Sequence, residues 1–427
     1  MIRIYDYKDI KICDIFERNE EKQDVSAIVA DILADVKKNG DEALKRYARK
    51  FDQAELDVFE VSEEEKQAAL AKVDQEFKDI LKESAEHIRA FHEKQKRTDF
   101  VVSERNGVLL GQRHMALERV GIYVPGGTAS YPSTVLMDCI PAKIAGVKEV
   151  IMVTPAKEGK INLEVLAAAD AAGVDRIFKI GGAQAVAALT YGTETVPAVD
   201  KIVGPGNVFV AEAKRQVFGK VSIDMVAGPS EILVIADAKS DPEIVAADML
   251  SQAEHDKMAS AVLVTESRKL AEEVAEELEK QLKVLPREEI ARTSIENKGK
   301  IIVVDDIFQA VEASNEIAPE HLEVYVDDPF LYLPAIKHAG SIFLGRNAPE
   351  ALGDYFAGPN HTLPTGGTAR FSSPLSVDDF IKKSSFTYYT SQTLAAEADK
   401  IAEFARREGL EGHARSALIR SRKEAEK

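Results

Sequence analysis

The sequence predicts an α/β protein with a largely parallel sheet, on three observations. From Val101 onward strand-like apolar runs recur, with helix-like segments between many of them. Three of these runs end in glycine-rich turns, as parallel strands do where backbone approaches a ligand. A chain of 427 residues is also too long for one ordinary core, so two or three domains are expected.

Taken in order, residues 1–22 are short and mixed and read as an arm. From Val25 to Phe51 apolar residues fall at helical spacing (Ile28, Ile32, Leu33, Val36), with a stop at Gly40. Ser62-x-x-Glu65 is a capping box, and a charged amphipathic pattern follows to about Lys96. His87 and His92, five apart, do not share a helical face and read as surface or packing residues, as do His114 and His338. The strand-like runs are Val108 to Leu110, Val120 to Val124, Val150 to Val153, Arg176 to Ile180, Lys201 to Val203, Ile232 to Ala236, Ala261 to Thr265, Lys300 to Val304, Glu323 to Val326 and Ser341 to Leu344. Leu163 to Ala172 and Ser240 to Asp248 are helical. Beyond Ser372 the pattern is polar and helical, with a last helix at Leu394 to Arg406, a turn marked by Gly409 and Gly412, and a basic tail.

Composition is that of a soluble globular protein, 45% hydrophobic and 30% charged. The net charge of −17 argues against nucleic-acid and anionic-membrane partners, which need a basic face. Two cysteines, Cys13 and Cys139, make no CxxC and fit a reducing cytosol. Cys139 stands in an apolar run and reads as a small buried hydrophobe. No apolar run approaches the ~18 residues of a membrane span, and the amino-terminal segment has no signal-peptide core. The expected location is therefore cytoplasmic.

The glycine turns are Val124-Pro125-Gly126-Gly127, Ile180-Gly181-Gly182-Ala183-Gln184 and Gly204-Pro205-Gly206-Asn207. Each alone could be a tight turn; together, with Tyr123, Gln184 and Asn207 beside them, they favour a nucleotide or other polar ligand. GxGxxG is absent, which counts against an ordinary dinucleotide fold. Acid–base chemistry points to Ala318-Pro319-Glu320-His321-Leu322-Glu323, where Pro319 biases Ala318 away from helix and opens an extended segment. Neighbouring side chains in such a segment point different ways, so Glu320 and His321 could serve two protons; a surface Glu beside a satisfied His is the plain alternative. Metal-ligand candidates are Gln252 and His255, on one face if the segment is helical, with Asp354 and His413 in remote loops. Two imidazoles, a carboxylate and an amide oxygen suit Zn²⁺ or a similar metal, but loop residues of these types are also ordinary polar surface.

Several long motifs in fixed order carry more than any one of these. They are Ile202-Val203-Gly204-Pro205-Gly206-Asn207, Ser222 to Glu231, Gln252-Ala253-Glu254-His255, Ala318 to Leu322, Gly358 to Gly367 and Glu408 to His413. In this order they resemble the histidinol dehydrogenase family, over about residues 20 to 420 and without departure at a functional position. The resemblance implies two similar, incomplete Rossmann-like domains, one inserted in the other, with helical N- and C-terminal extensions. The expected division is an arm at 1–22, a discontinuous first domain at 23–121 and 230–375, an inserted domain at 122–229, and a C-terminal extension at 376–427 used in dimerisation. It implies a homodimer with shared active sites that oxidises L-histidinol to L-histidine, using two NAD⁺ and a water. One zinc per subunit is implied on Gln252, His255 and Asp354, with His413 supplied by the other subunit. The implied substrate contacts are Ser230, His321, His361 and Glu408 together with the zinc ligands, and the implied NAD contacts are Tyr123, Gln184 and Asn207. Glu320 and His321 become the catalytic pair. A metal-dependent hydrolase and a non-catalytic nucleotide-binding protein are the competing readings.

Overall fold

The computed structural model describes residues 2–16, 18, 24–126 and 131–425; Gly127 of the first glycine turn lies outside them. In chain order the elements begin with β1 (Arg3–Asp6), α1 (Ser26–Tyr47), α2 (Glu63–Leu70) and α3 (Gln75–His92). Next come β2 (Phe100–Val102), β3 (Val108–Ala116), β4 (Arg119–Tyr123), α4 (Pro132–Ala145), β5 (Glu149–Val153), α5 (Leu163–Ala172) and β6 (Arg176–Phe178). The chain continues through α6 (Gly182–Tyr191), β7 (Lys201–Val203), α7 (Val208–Val217), β8 (Ser222–Ile223), β9 (Glu231–Ala236), α8 (Pro242–Ala253) and β10 (Ser260–Thr265). It then forms α9 (Arg268–Leu282), α10 (Glu288–Asn297), β11 (Lys300–Val303), α11 (Ile307–Ile317), β12 (His321–Tyr325), β13 (Ser341–Leu344) and α12 (Glu350–Tyr355). The last elements are β14 (Ile381–Tyr389), α13 (Ser391–Arg407) and α14 (Glu411–Ala425).

Two compact units result, residues 1–95 with 117–380, and residues 96–116 with 381–427. The larger contains a five-stranded parallel sheet, β6-β5-β4-β7-β8, and a six-stranded parallel sheet, β1-β11-β10-β9-β12-β13. Their inner strands are covered on both faces, which is why they read as unbroken apolar runs; every residue of β9 and β10 is buried. Alanine-rich α5 and α6 combine high helix propensity with side chains small enough for close packing, and Ala183 to Thr190 are all buried. Ser62 and Glu65 form the expected capping box on α2. Gly40, at φ 49 and ψ −132, breaks α1 into two helical pieces.

The smaller unit is an antiparallel sheet, β14-β3-β2, with α13 and α14. Here the reading of a polar helical pattern beyond Ser372 is corrected, because residues 381–389 are a strand paired along their whole length with β3. Its alternating Lys, Ser, Thr and aromatic residues suit a ladder exposed on its faces. Gly412 lies in the first turn of α14 and marks no turn between elements. The segment read as an arm contributes β1, which pairs with β11 at a sheet edge. Among the described residues no helix is long and apolar enough to cross a membrane.

The turn after β7 is the most constrained of the glycine turns. Gly204 has φ +108, and a Cβ there would lie 2.2 Å from the Tyr123 carbonyl oxygen. Its N–H donates to Asp224 Oδ2 at 2.8 Å, and its carbonyl accepts from Lys214 Nζ at 2.9 Å. Lys214 and Asp224 also pair directly, with both side chains almost wholly buried. Removing one member of such a pair strands a buried charge, so Lys214→Met should lower stability by about 3–5 kcal/mol in urea denaturation. A loss below about 1 kcal/mol would show that the pair does not hold the turn.

Candidate active site

Glu320 and His321 are buried where α11 turns into β12. Ala318 closes α11 in the left-handed region, φ 52 and ψ 66, and Pro319 prevents further helix. Glu320 therefore sits in the bend ahead of the strand and not within it. Strand alternation does not apply to it, and the expectation that the two side chains simply point apart is modified. Both converge on the backbone of one residue, Glu231, because parallel pairing sets His321 opposite Ile232 and brings β9's first residue alongside. The Glu231 N–H donates to Glu320 Oε2 at 2.9 Å, and the Glu231 carbonyl meets His321 Nδ1 at 3.0 Å. A carbonyl only accepts, so Nδ1 carries the proton and Nε2 is left as the basic nitrogen. His321 Nδ1 and Glu320 Oε2 are 3.6 Å apart. Burial, the largest cause, pushes the Glu320 carboxyl well above the usual range; nearby Glu231 and Asp354 add to it and the Glu231 N–H opposes it.

His321 Nε2 points at a residue the sequence reading missed. Glu350 Oε1 lies 3.7 Å away, and both atoms are buried without a hydrogen-bond partner. Glu350 is fixed by two hydrogen bonds, to β12 and α8, and by the packing of its helix on β13. Its N–H donates to Glu323 Oε1 at 2.7 Å, its Oε2 accepts from Ser251 Oγ at 3.0 Å, and it opens α12, whose Gly353 packs against the Phe343 ring. Glu323 follows His321 by two residues on β12, so one strand face holds the imidazole and the carboxyl that caps α12. Glu350 and Asp354 are one helical turn apart, the spacing that puts two carboxylates on one face and the signal that would have revealed Glu350. His321, Glu350 and Asp354 together form a group able to hold a metal ion.

Gln252 ends α8, buried, with its amide beside Glu350 but closing no hydrogen bond of good geometry. His255 is not helical: α8 stops at Ala253, and His255 lies in the following turn with its N–H on the Gln252 carbonyl at 3.1 Å. Burial pushes its pKa down, Asp354 pushes it up, and His321 lowers it again, so these three side chains share one field. Asp354 sits 3.6 Å from His361 Nδ1. Burial alone would raise the Asp354 carboxyl, but His361 and His321 outweigh it and hold it at about 2. The donors are nitrogen and oxygen, several of them buried and unpartnered, which fits a borderline divalent metal such as Zn²⁺. Four of the predicted residues, Gln252, His255, His321 and Asp354, with His361, are thus gathered in the larger unit.

The other predicted residues stand differently. Ser230, half-buried, precedes β9, and its carbonyl accepts from Ser260 N–H at 3.0 Å. Glu408 and His413 are exposed in the smaller unit, at the end of α13 and the start of α14. Tyr123 ends β4, buried, with its hydroxyl oxygen accepting from Gly182 N–H at 2.9 Å. Gln184 is buried in the first turn of α6. Asn207 caps α7, accepting from the Phe209 and Val210 N–H groups at 3.1 and 3.2 Å. All three stand at the carboxyl ends of strands in the five-stranded sheet, beside helix N-termini suited to anions.

The chain matches a family model described as histidinol dehydrogenase over residues 16–421. It is 56% identical to a histidinol dehydrogenase of Geobacter sulfurreducens over 416 residues, covering 96% of this chain and 97% of the relative. With one from Lactiplantibacillus plantarum it shares 57% identity over 392 residues, 92% of each chain. The crystal structure of histidinol dehydrogenase from Elizabethkingia anophelis superposes with a TM-score of 0.93 at 39% identity, over 99% of this chain and 98% of that one.

Asp138 extends the site and was overlooked within its apolar run. It is fully buried on α4; Thr362 Oγ1 donates to its Oδ1 at 2.9 Å, while Oδ2 has no partner. Burial, reinforced by Asp224, pushes its carboxyl from 3.8 to about 7. Below the lower value both folded and unfolded chains hold the proton. Between the two the unfolded chain ionises first, so this stabilisation falls as pH rises and is gone above about 7. Asp138→Asn keeps the acceptor for Thr362 and cannot ionise. Its stability relative to the parent in urea denaturation should therefore be greater near pH ~8 than near pH ~5. An offset independent of pH would refute the buried titration.

Proposed function

The chain belongs to the histidinol dehydrogenase family, and from that premise we propose that it oxidises L-histidinol to L-histidine through an enzyme-held aldehyde. Two successive hydride transfers and one water complete the reaction, the last step of histidine biosynthesis. The observation that carries this reading is the disposition of His321. Its Nδ1–H is held by the Glu231 carbonyl, and its unpartnered Nε2 opens into a buried group of carboxylates.

As hydride leaves the carbinol carbon, His321 Nε2 accepts the hydroxyl proton; a neutral imidazole suits a base near neutral pH. Water then adds to the aldehyde, with Glu320 taking the water's proton. The raised Glu320 carboxyl is a stronger base than an exposed one once ionised. His321 takes the hydrate's proton as the second hydride leaves. Glu350, opposite Nε2, stabilises the imidazolium formed each time. Two bases gathered on the backbone of one residue thus serve a reaction with two kinds of proton transfer.

Gln252, His255, Asp354 and His413 of the partner subunit would hold the zinc, which supplies orientation of the substrate's imidazole and amine. Tyr123, Gln184 and Asn207 would contact NAD⁺, the hydride acceptor. Ser230, His361 and Glu408 complete the substrate contacts. The homodimer is supported by the apolar residues the smaller unit exposes, among them Phe100, Val101, Phe386, Tyr388 and Phe404. The two parallel sheets, one from residues 119–223 and the other from β1 and residues 231–344, support an inserted Rossmann-like domain within a discontinuous one. We place the enzyme in the cytoplasm.

With L-histidinol and NAD⁺ the protein should form two NADH per histidinol, and chelation should abolish turnover; no NADH at all removes the proposal. His321→Asn should lower turnover by roughly 10²–10⁴-fold, and near-parental turnover would reject the base. Supplied separately with histidinol and histidinal, Glu320→Gln should lose more activity on the aldehyde. Equal losses on both substrates would take the water from Glu320.

A further inference from the structure

We propose that Arg18 is a positioning residue for the acid–base pair, acting through Glu231; the proposal rests on the roles given above to Glu320 and His321. Arg18 lies far from both in sequence and touches neither side chain. Its guanidinium grips the Glu231 carboxylate in a two-pronged pair, Nε to Oε1 and Nη2 to Oε2, each at 2.7 Å. The same group donates from Nη1 to the Ile317 carbonyl at 2.6 Å and from Nη2 toward the Ala318 carbonyl at 3.4 Å. One rigid plane therefore joins the first residue of β9 to the last turn of α11, immediately before Pro319 and Glu320.

Glu231 has every polar group committed. Its carboxylate, side chain 6% exposed, is on Arg18; its N–H is on Glu320 and its carbonyl is on His321 Nδ1. Arg18 thus fixes the residue whose carbonyl selects the His321 tautomer and whose N–H orients the Glu320 carboxyl, and the turn that presents both. The loop carrying His361 rests on the same group: a Cβ at Gly367 would come within 2.6 Å of Arg18 Nη1. Without the guanidinium a buried carboxylate loses its counter-charge, and Glu231 must take a proton or turn toward water. Either response moves its peptide, and with it both catalytic contacts. An ammonium in the same place offers no planar fork and cannot hold a carboxylate and two carbonyls together.

The test compares Arg18→Ala, Arg18→Lys and Glu231→Gln with the parent enzyme. Arg18→Ala should lower kcat on both histidinol and histidinal by roughly 10–100-fold, as sub-ångström misplacement does, with KM for NAD⁺ within about twofold. Millimolar guanidinium chloride, too dilute to denature, should restore part of the lost kcat. Arg18→Ala combined with Glu231→Gln should be no worse than the poorer single variant, because both break one linkage. In protein labelled with ¹⁵N-histidine, the His321 Nδ1–H resonance should be present in the parent, lost in Arg18→Ala and regained with guanidinium. That measurement needs no substrate, so it decides the positioning role even if the parent fails to oxidise histidinol. An intact Nδ1–H signal in Arg18→Ala overturns the proposal, as do unchanged kcat with lowered thermal stability and strictly additive losses. Should Arg18→Ala fail to fold, Arg18→Lys carries the same comparison, with a smaller expected loss.

Discussion

The backbone of one residue, Glu231, holds the proposed acid–base pair. Its N–H reaches the Glu320 carboxyl and its carbonyl fixes His321 Nδ1. Backbone groups at the start of a buried parallel strand have few degrees of freedom, so they orient side chains better than another side chain could. The arrangement needs β9 and β12 to be parallel neighbours in one particular register. A slip of one residue would set the His321 ring against the other face of the sheet. The apolar filling of β9, β10 and β12 that secures this register is therefore also a requirement of the proposed chemistry.

The two parallel sheets are used from opposite ends. In the five-stranded sheet Tyr123, the Gly181 turn and the Gly204 turn follow the strands, the usual place for ligands in open α/β sheets. In the six-stranded sheet Ser230, Glu320 and His321 stand where strands begin. Contacts between His361 and Thr134, at 3.4 Å, and between Thr362 and Asp138 tie the loop after α12 to α4, which follows β4. The proposed contacts at strand starts, Ser230 and His321, and those at strand ends, Tyr123, Gln184 and Asn207, thus belong to the same compact unit.

Much of this was legible in the sequence, for physical reasons. Strands of the two parallel sheets appear as apolar runs, and nine runs match them to within a few residues; the tenth, Val108 to Leu110, is only the start of the antiparallel and longer β3. The Ser62 box and the Gly40 break follow from local backbone chemistry alone. What escaped notice depends on tertiary context. β14 is a ladder open on its faces, so its polar alternation resembled helix. β1 is a four-residue edge strand with only Ile4 and Tyr5 to mark it. Arg18 carries no local signal, because its partners lie at positions 231, 317 and 318. Asp138 and Glu350 did carry one: a carboxyl inside the apolar run Val135 to Ile140, and a Glu four residues before Asp354. The proposed roles of Glu408 and His413, in the smaller unit, rest on the family's motif alone.

β1 has a bearing on biosynthesis. It is made before every other strand described, yet Arg3 must settle opposite Lys300, and β11 leaves the ribosome only after most of the chain. Loop closure over so long a span is slow compared with the local pairing of β4 with β5. β1 itself is therefore without its partner strand through much of synthesis, its backbone groups open to other nascent chains. In this protein a segment made early joins its sheet late, and it is β1, waiting for β11, that stays open to wrong pairing in the interval.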